Sequence, residues 1–143
     1  MLWGNQLMMK KIEISWDKYG ELLAKLVVKL QKEDLTGIEY VYGIPRGGLP
    51  IATYIAYQLN LELIFQIASF RRTLIVDDIA DTGQSLKKYI RYKTATLFYK
   101  KRSIVKPTVF VEEVEDWIVF PYEDKTKVEK EYQEFCKKRL LDF

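Results

Sequence analysis

The stretch that decides the fold is Leu74-Ile-Val-Asp-Asp-Ile-Ala-Asp-Thr-Gly-Gln-Ser85. It begins with apolar side chains that favour a buried strand, and two adjacent carboxylates, Asp77 and Asp78, follow directly. The remaining acid, hydroxyl groups and glycine predict a loop over residues 77–84 and a short helix over residues 85–92. A loop that ends at a helix N-terminus turns backbone N–H groups toward the same point, which favours binding of an anion such as phosphate.

Outside this stretch, helix and strand patterns alternate. Apolar residues at helical spacing predict a helix over residues 16–32, with Ser15 available to cap it. The other predicted helices cover residues 49–59 and 125–140, and the predicted strands cover residues 38–44, 61–67, 73–76, 94–99, 108–111 and 117–120. This alternation predicts an α/β fold with a mostly parallel sheet flanked by helices, in a single domain spanning residues 1–143. Ligands of such sheets bind beyond the carboxyl ends of the strands.

Composition restricts the chemistry that this fold could carry. The 143 residues include no histidine and one cysteine, Cys136, which excludes Ser-His-Asp and Cys-His catalysis and zinc sites built on His or several Cys ligands. The net charge of +3 is too small to predict nucleic-acid binding. A lone cysteine indicates a reducing cytoplasm. Residues 1–9 do not have the pattern of a signal peptide, and no apolar run reaches the ~18 residues that span a membrane.

A second glycine-containing stretch, Tyr42-Gly-Ile-Pro-Arg-Gly-Gly-Leu49, also lies between a predicted strand and a predicted helix. Its glycines would let backbone N–H groups face an anion, and Arg46 adds a positive charge. Arg-Gly-Gly is also common in ordinary turns. For both stretches, a simple turn with capping side chains is therefore the structural alternative to an anion site.

Residues 76–85 resemble the phosphoribosyl-pyrophosphate (PRPP) motif of type I phosphoribosyltransferases, an apolar strand followed by acid-Asp-x-x-Asp-Thr-Gly-x-Ser/Thr. The resemblance implies that Asp77 and Asp78 hold the ribose hydroxyls, with Asp78 also near magnesium. It implies that Asp81 is the catalytic residue, which lies beside the nucleobase and accepts or relays the purine proton. The PRPP-binding set is completed by Ala80 and by the residues that would cradle the 5′-phosphate, namely Thr82, Gly83, Gln84 and Ser85.

In combination with this motif, residues 42–49 resemble the pyrophosphate loop of the same family. The resemblance implies that Arg46 and Gly47 bind pyrophosphate with support from Gly48. It also implies a non-proline cis peptide bond, at Arg46–Gly47.

Trp117-Ile-Val-Phe-Pro-Tyr-Glu123 resembles the Trp-Ile-x-x-Pro-Trp-Asp/Glu stretch of xanthine-guanine phosphoribosyltransferases and their archaeal 6-oxopurine relatives. The resemblance implies that Trp117 stacks on the purine, that the Ile118 carbonyl reads the 2-position and that Glu123 lies near a second magnesium. Lys100 matches the family lysine that contacts the purine 6-oxygen, and Lys101 takes its place if the register shifts by one. The structural alternative is that Trp117 is a core residue.

Together the motifs imply a purine salvage enzyme that transfers the phosphoribosyl group from PRPP to xanthine, guanine or hypoxanthine. Its products would be a nucleoside monophosphate and pyrophosphate, and its cofactor would be Mg²⁺. The resemblance also implies that the protein assembles as a homodimer or homotetramer. The resemblance covers residues 16–123, and the C-terminal helix lies beyond it.

The chain departs from the family pattern at residues 63–72, which lead directly to Thr73 where family members usually carry a long flexible hood. This shortened hood keeps open an alternative, a non-catalytic or regulatory PRPP- or nucleotide-binding relative. An orotate or other pyrimidine enzyme is a third candidate, which the Trp117–Glu123 stretch opposes.

Overall fold

The structure is a computed structural model that describes residues 10–141, with side chains to residue 139. Residues 21–114 form one compact unit, and residues 10–20 together with residues 115–141 form another. The expectation of a single domain stays a prediction, and the signal-peptide question concerns residues 1–9, outside the described part. Between residues 10 and 141, no helix combines the length and the hydropathy needed to cross a membrane.

The elements follow one another in the order that the sequence predicts, with one additional strand at the start. The described helices are α1 (Trp16–Gln31), α2 (Gly48–Leu59) and α3 (Lys125–Leu141). The described strands are β1 (Lys11–Glu13), β2 (Tyr40–Gly43), β3 (Glu62–Ile64), β4 (Thr73–Ala80), β5 (Lys93–Tyr99), β6 (Val109–Glu113) and β7 (Trp117–Val119).

The larger unit contains a five-stranded sheet with the strand order β3-β2-β4-β5-β6. Every neighbouring pair in it is parallel, so all five carboxyl ends lie at one edge. This parallel α/β architecture confirms the predicted fold class. The central strand β4 is buried from Thr73 to Val76, as expected for a strand covered on both faces.

Helix α1 agrees with the sequence pattern that predicts it. The Ser15 hydroxyl accepts a hydrogen bond from the Lys18 N–H at 3.1 Å, which caps the first turn. Leu22, Leu26 and Leu30 follow at intervals of four residues and are fully buried. Spacing of this kind places the three side chains on one face of the helix.

The predicted loop over residues 77–84 is wrong in its first half, because β4 continues to Ala80. Asp77 and Ala80 pair with Thr96 and Tyr99 of β5, and this pairing keeps the backbone extended despite the two acids. The predicted helix over residues 85–92 is also wrong. The structure has only a 3₁₀ turn at Lys87–Tyr89 before β5 begins at Lys93.

The connection from β3 to β4 is short, as the sequence indicates. The predicted strand over residues 61–67 is limited to Glu62–Ile64, the part that pairs with β2. Residues 65–72 then lead to β4 through one 3₁₀ turn at Phe70–Arg72.

In the smaller unit, the parallel pair β1–β7 lies beside α3. The Trp117 N–H donates to the Lys10 carbonyl at 2.8 Å, and the ring of Trp117 contacts the rings of Tyr132 and Phe135 on α3. An ion pair joins Lys11 of β1 to Glu129 of α3. The strand β1 was not predicted, because its partner β7 lies far away in the sequence.

Candidate active site

Residues 77–86, the end of β4 and the loop after it, line a cavity of about 190 Å³. Every residue of the predicted PRPP motif from Asp77 to Ser85 contributes to this lining. The cavity therefore lies at the carboxyl edge of the sheet, where ligands of parallel α/β folds bind.

The two adjacent acids at the end of β4 differ in their surroundings. Asp77 is 8% exposed, and burial, reinforced by the neighbouring Asp78 carboxylate, raises the pKa of Asp77 to about 8. The Asp78 N–H donates to Asp77 Oδ1 at 2.9 Å, and the Ile79 N–H donates to Asp78 Oδ1 at 2.8 Å. Local backbone hydrogen bonds thus orient both carboxylates.

The structure brings the predicted pyrophosphate loop to this acidic pair. Strand β2 pairs with β4 so that Gly43 lies opposite Val76, and the Ile44 N–H donates to the Val76 carbonyl at 2.9 Å. Gly47 lies so close to Asp78 that a Cβ on Gly47 would overlap the Asp78 carboxylate. A larger residue at this position would therefore displace the Asp78 carboxylate or the turn.

The same turn contains a non-proline cis peptide bond, at Pro45–Arg46. The expected position, Arg46–Gly47, is wrong by one residue. Gly47 itself has helical backbone angles and directly precedes α2. The Arg46 side chain is exposed at the turn.

The predicted phosphate loop presents exposed polar side chains at Thr82, Gln84 and Ser85. The Gln84 N–H donates to Thr82 Oγ1 at 3.3 Å. Gly83 has a φ of +86°, and a Cβ on it would lie 2.6 Å from Ser103 Oγ. The left-handed backbone and the contact with Ser103 both require glycine here.

Asp81 is held by two cations from the segment after β5. Lys100 Nζ lies 3.4 Å from Asp81 Oδ1, and the Lys100 side chain is only 3% exposed. Arg102 donates from Nε to the same oxygen at 2.8 Å and also contacts it through Nη2. Lys101, the alternative to Lys100, is 73% exposed and lies 3.7 Å from Glu113 instead.

Arg102 is the residue of this cluster that sequence reasoning missed. It follows two lysines in a charged run that reads as a solvated surface segment. Its partner Asp81 lies 21 positions earlier, and the local pattern carries no signal for such a pair.

Trp117, Ile118 and Glu123 lie in the smaller unit, so their part in a base site stays a prediction. The ring centroid of Trp117 is 5.9 Å from that of Tyr132 and 5.1 Å from that of Phe135. These contacts are those of a packing residue, which was the structural alternative for Trp117. Ile118 is buried, and the Glu123 N–H donates to the Phe120 carbonyl.

The acidic pair at the end of β4 fits an Mg²⁺ ion that takes its other ligands from water and substrate phosphates. Among residues 10–141, no cluster of three or more Asp, Glu, Cys or His side chains is arranged to hold a metal ion by itself. Mg²⁺ is commonly bound by one or two carboxylates, with water and substrate phosphates as the other ligands. Asp78, in the lining of the cavity, provides one such carboxylate.

Comparison with protein-family models finds no match. A curated relative, the transcriptional regulator GfcR of Thermoplasma acidophilum, is 22% identical, with 55% of this chain and 53% of that protein covered. The chain thus spans about half the length of this relative.

Solved structures give a more extensive match. A purine phosphoribosyltransferase from Pyrococcus horikoshii has a TM-score of 0.69 and 27% identity, with 81% of this chain and 95% of that chain covered. A xanthine-guanine-hypoxanthine phosphoribosyltransferase from Helicobacter pylori has a TM-score of 0.70 and 20% identity, with coverages of 85% and 99%. A hypothetical protein from Neisseria gonorrhoeae with bound ppGpp has a TM-score of 0.64 and 16% identity, with coverages of 87% and 96%.

These neighbours confirm the resemblance inferred from the motifs, and they support a phosphoribosyltransferase function. The chain has the α/β fold of the type I phosphoribosyltransferases.

Proposed function

We propose that the protein is a purine salvage enzyme that transfers the 5-phosphoribosyl group from PRPP to a 6-oxopurine and releases pyrophosphate. The observation that carries the proposal is the contact between the two motifs. The end of β4 and the loop after it, residues 77–86, line a cavity at the sheet edge, and Gly47 of the second motif lies against Asp78. A substrate with a phosphate, a ribose and a pyrophosphate group would use every part of this arrangement.

Each group of PRPP has a proposed partner. The backbone N–H groups and hydroxyls of residues 82–85 receive the 5′-phosphate, and Asp77 and Asp78 accept hydrogen bonds from the ribose hydroxyls. Arg46 and the backbone of Gly47 and Gly48 receive the pyrophosphate and stabilise the negative charge that grows on it. Mg²⁺, when bound beside Asp78, would supply further charge neutralisation at the pyrophosphate.

The proposed base site combines a buried cation with an acid. Lys100 donates to the purine 6-oxygen, and Asp81, 3.4 Å from Lys100, accepts or relays the proton that the purine loses. A buried ammonium group would face the 6-amino group of adenine unfavourably, which selects for 6-oxopurines. The names of the Pyrococcus and Helicobacter relatives support a purine substrate.

Direct assay of nucleotide formation tests the proposal. The protein is incubated with PRPP, Mg²⁺ and one of xanthine, guanine, hypoxanthine, adenine or orotate, and products are separated by chromatography. We expect nucleotides from one or more of the 6-oxopurines and from neither adenine nor orotate. Asp81→Asn is expected to lower turnover strongly while ground-state binding of PRPP is retained. Nucleotide formation from orotate alone would overturn the assignment of the base.

The second candidate is a regulatory protein that binds PRPP or a nucleotide without turnover. The observation that favours it is the short connection from β3 to β4 through residues 65–72, which leaves no long hood to close over the site. The curated relative is a transcriptional regulator, and the Neisseria relative was solved with ppGpp. Calorimetric binding of guanine nucleotides, with no product formed in the assay above, would favour this candidate.

A further inference from the structure

Arg102 and Lys100 both reach Asp81, and both reach the same oxygen atom. Arg102 Nε lies 2.8 Å and Lys100 Nζ 3.4 Å from Oδ1, and Arg102 Nη2 also contacts Oδ1. Within residues 10–141, the structure shows no hydrogen-bond or ion-pair partner for the second oxygen, Oδ2. The Asp81 side chain is 34% exposed, and Asp81 is among the residues that line the cavity at the sheet edge.

We infer that Arg102 is a positioning residue for Asp81. It anchors Oδ1 from the solvent side while Lys100 approaches the same atom from the protein interior. A carboxylate fixed through one oxygen presents the other in a defined direction, where it accepts the N–H of a bound nucleobase. This inference rests on the proposed function, because it requires a nucleobase beside Asp81.

The backbone around Arg102 is tied to the loop that it orients. The Lys100 N–H donates to the Ala80 carbonyl at 2.9 Å, and the Ile104 N–H donates to the Thr82 carbonyl at 3.0 Å. These two bonds lie on either side of Arg102 and of Asp81. These bonds hold residues 100–104 beside residues 80–82. The backbone of both segments therefore places the Arg102 guanidinium group next to Asp81.

A double-mutant cycle separates positioning from direct contact with substrate. Arg102→Gln is expected to lower kcat/KM for the base by about 10- to 100-fold, because the carboxylate loses its fixed direction. Arg102→Lys should recover part of this loss, since a lysine can still reach Oδ1. The KM for PRPP should change by less than about twofold. Lys25→Gln, which replaces an exposed lysine of helix α1, is the control and should leave all constants unchanged.

In the Asp81→Asn background, Arg102→Gln should lower kcat/KM by no more than about twofold, since the group through which Arg102 acts is already altered. An equal loss in both backgrounds would overturn the inference, because Arg102 would then contact the substrate itself. An unchanged rate for Arg102→Gln in the wild-type background would overturn it as well.

If the wild-type protein forms no nucleotide, the proposed enzymatic function fails. The wild type, Arg102→Gln, Asp81→Asn and the double variant are then compared by calorimetric binding of GMP. A loss of GMP affinity on Arg102→Gln that disappears in the Asp81→Asn background supports positioning. Equal losses in the two backgrounds, or none, overturn it.

Discussion

At the scale of single residues, the buried Asp77 makes folding depend on pH. Its carboxyl pKa of about 8 lies far above the ordinary value of 3.8, so between these values the folded state binds a proton that the unfolded state releases. Stability from this group is therefore full below about pH 4 and is lost as the pH rises through about 8.

We expect Asp77→Asn, which carries no charge at any pH, to gain stability relative to the wild-type protein as the pH rises from 5 to 9. The relative gain should be on the order of 1 kcal/mol or more. Urea unfolding of the ligand-free protein in EDTA measures it. Glu115→Gln removes an exposed carboxylate and should follow the wild-type curve. A constant difference between Asp77→Asn and wild type across this range would show that Asp77 is not the responsible group.

A second residue-scale prediction concerns Gly47. A Cβ there would overlap the Asp78 carboxylate, so Gly47→Ala must displace either the turn or the acid. We expect a destabilisation of about 1–3 kcal/mol, as for other overpacked sites, and at least a tenfold weaker affinity for PRPP by calorimetry.

The matched control is Gly20→Ala in helix α1, where an added Cβ meets no atom within 4 Å. It should stabilise the protein by about 0.5–1 kcal/mol through helix propensity and leave PRPP affinity unchanged. Normal PRPP binding by Gly47→Ala would show that the contact between the two motifs does not matter for the ligand.

At the scale of elements, helix α1 was predictable because its apolar spacing and its cap are local signals. The contribution of its buried face to the free energy of unfolding can also be tested. Leu26 is fully buried, whereas Val28 on the same helix is 49% exposed. We expect Leu26→Ala to lower the free energy of unfolding by about 2–5 kcal/mol and Val28→Ala by less than about 0.5 kcal/mol, as measured by urea titration. Similar losses for the two variants would contradict the burial pattern of α1.

The elements that were not predictable depend on partners distant in the sequence. Residues 77–80 contain acids and read as a loop, yet their pairing with β5 makes them the end of a strand. The short strand β1 exists through its pairing with β7. The predicted role of the loop residues came from the order of acids, hydroxyls and glycine, whereas the Asp81–Arg102 pair needed the folded backbone to bring the two side chains together.

At the scale of the whole molecule, the absence of histidine in the sequence agrees with a transfer reaction that needs carboxylates, cations and backbone donors. The unusual feature is the direct connection of β3 to β4 through residues 65–72. In phosphoryl and glycosyl chemistry, closure of an active site prevents water from reacting in place of the intended acceptor. A short connection in place of a hood therefore affects which acceptor reacts, water or the base, and not only how fast the reaction runs.

We expect this chain to hydrolyse PRPP when no base is present, because water can reach the ribose carbon that the purine would attack. Release of ribose 5-phosphate in the presence of Mg²⁺ should occur at roughly 1–10% of the rate of nucleotide formation, and adding a 6-oxopurine should suppress it by occupying the base site. Gly47→Ala, in which the turn against Asp78 is disturbed, is the control. Any ribose 5-phosphate that this variant releases measures PRPP hydrolysis that does not depend on an intact site. Hydrolysis by the wild-type protein at the rate seen without protein would show that water is excluded by other means. If that exclusion fails on dilution, the covering group comes from a second copy of the chain, as the proposed homodimer or homotetramer would allow.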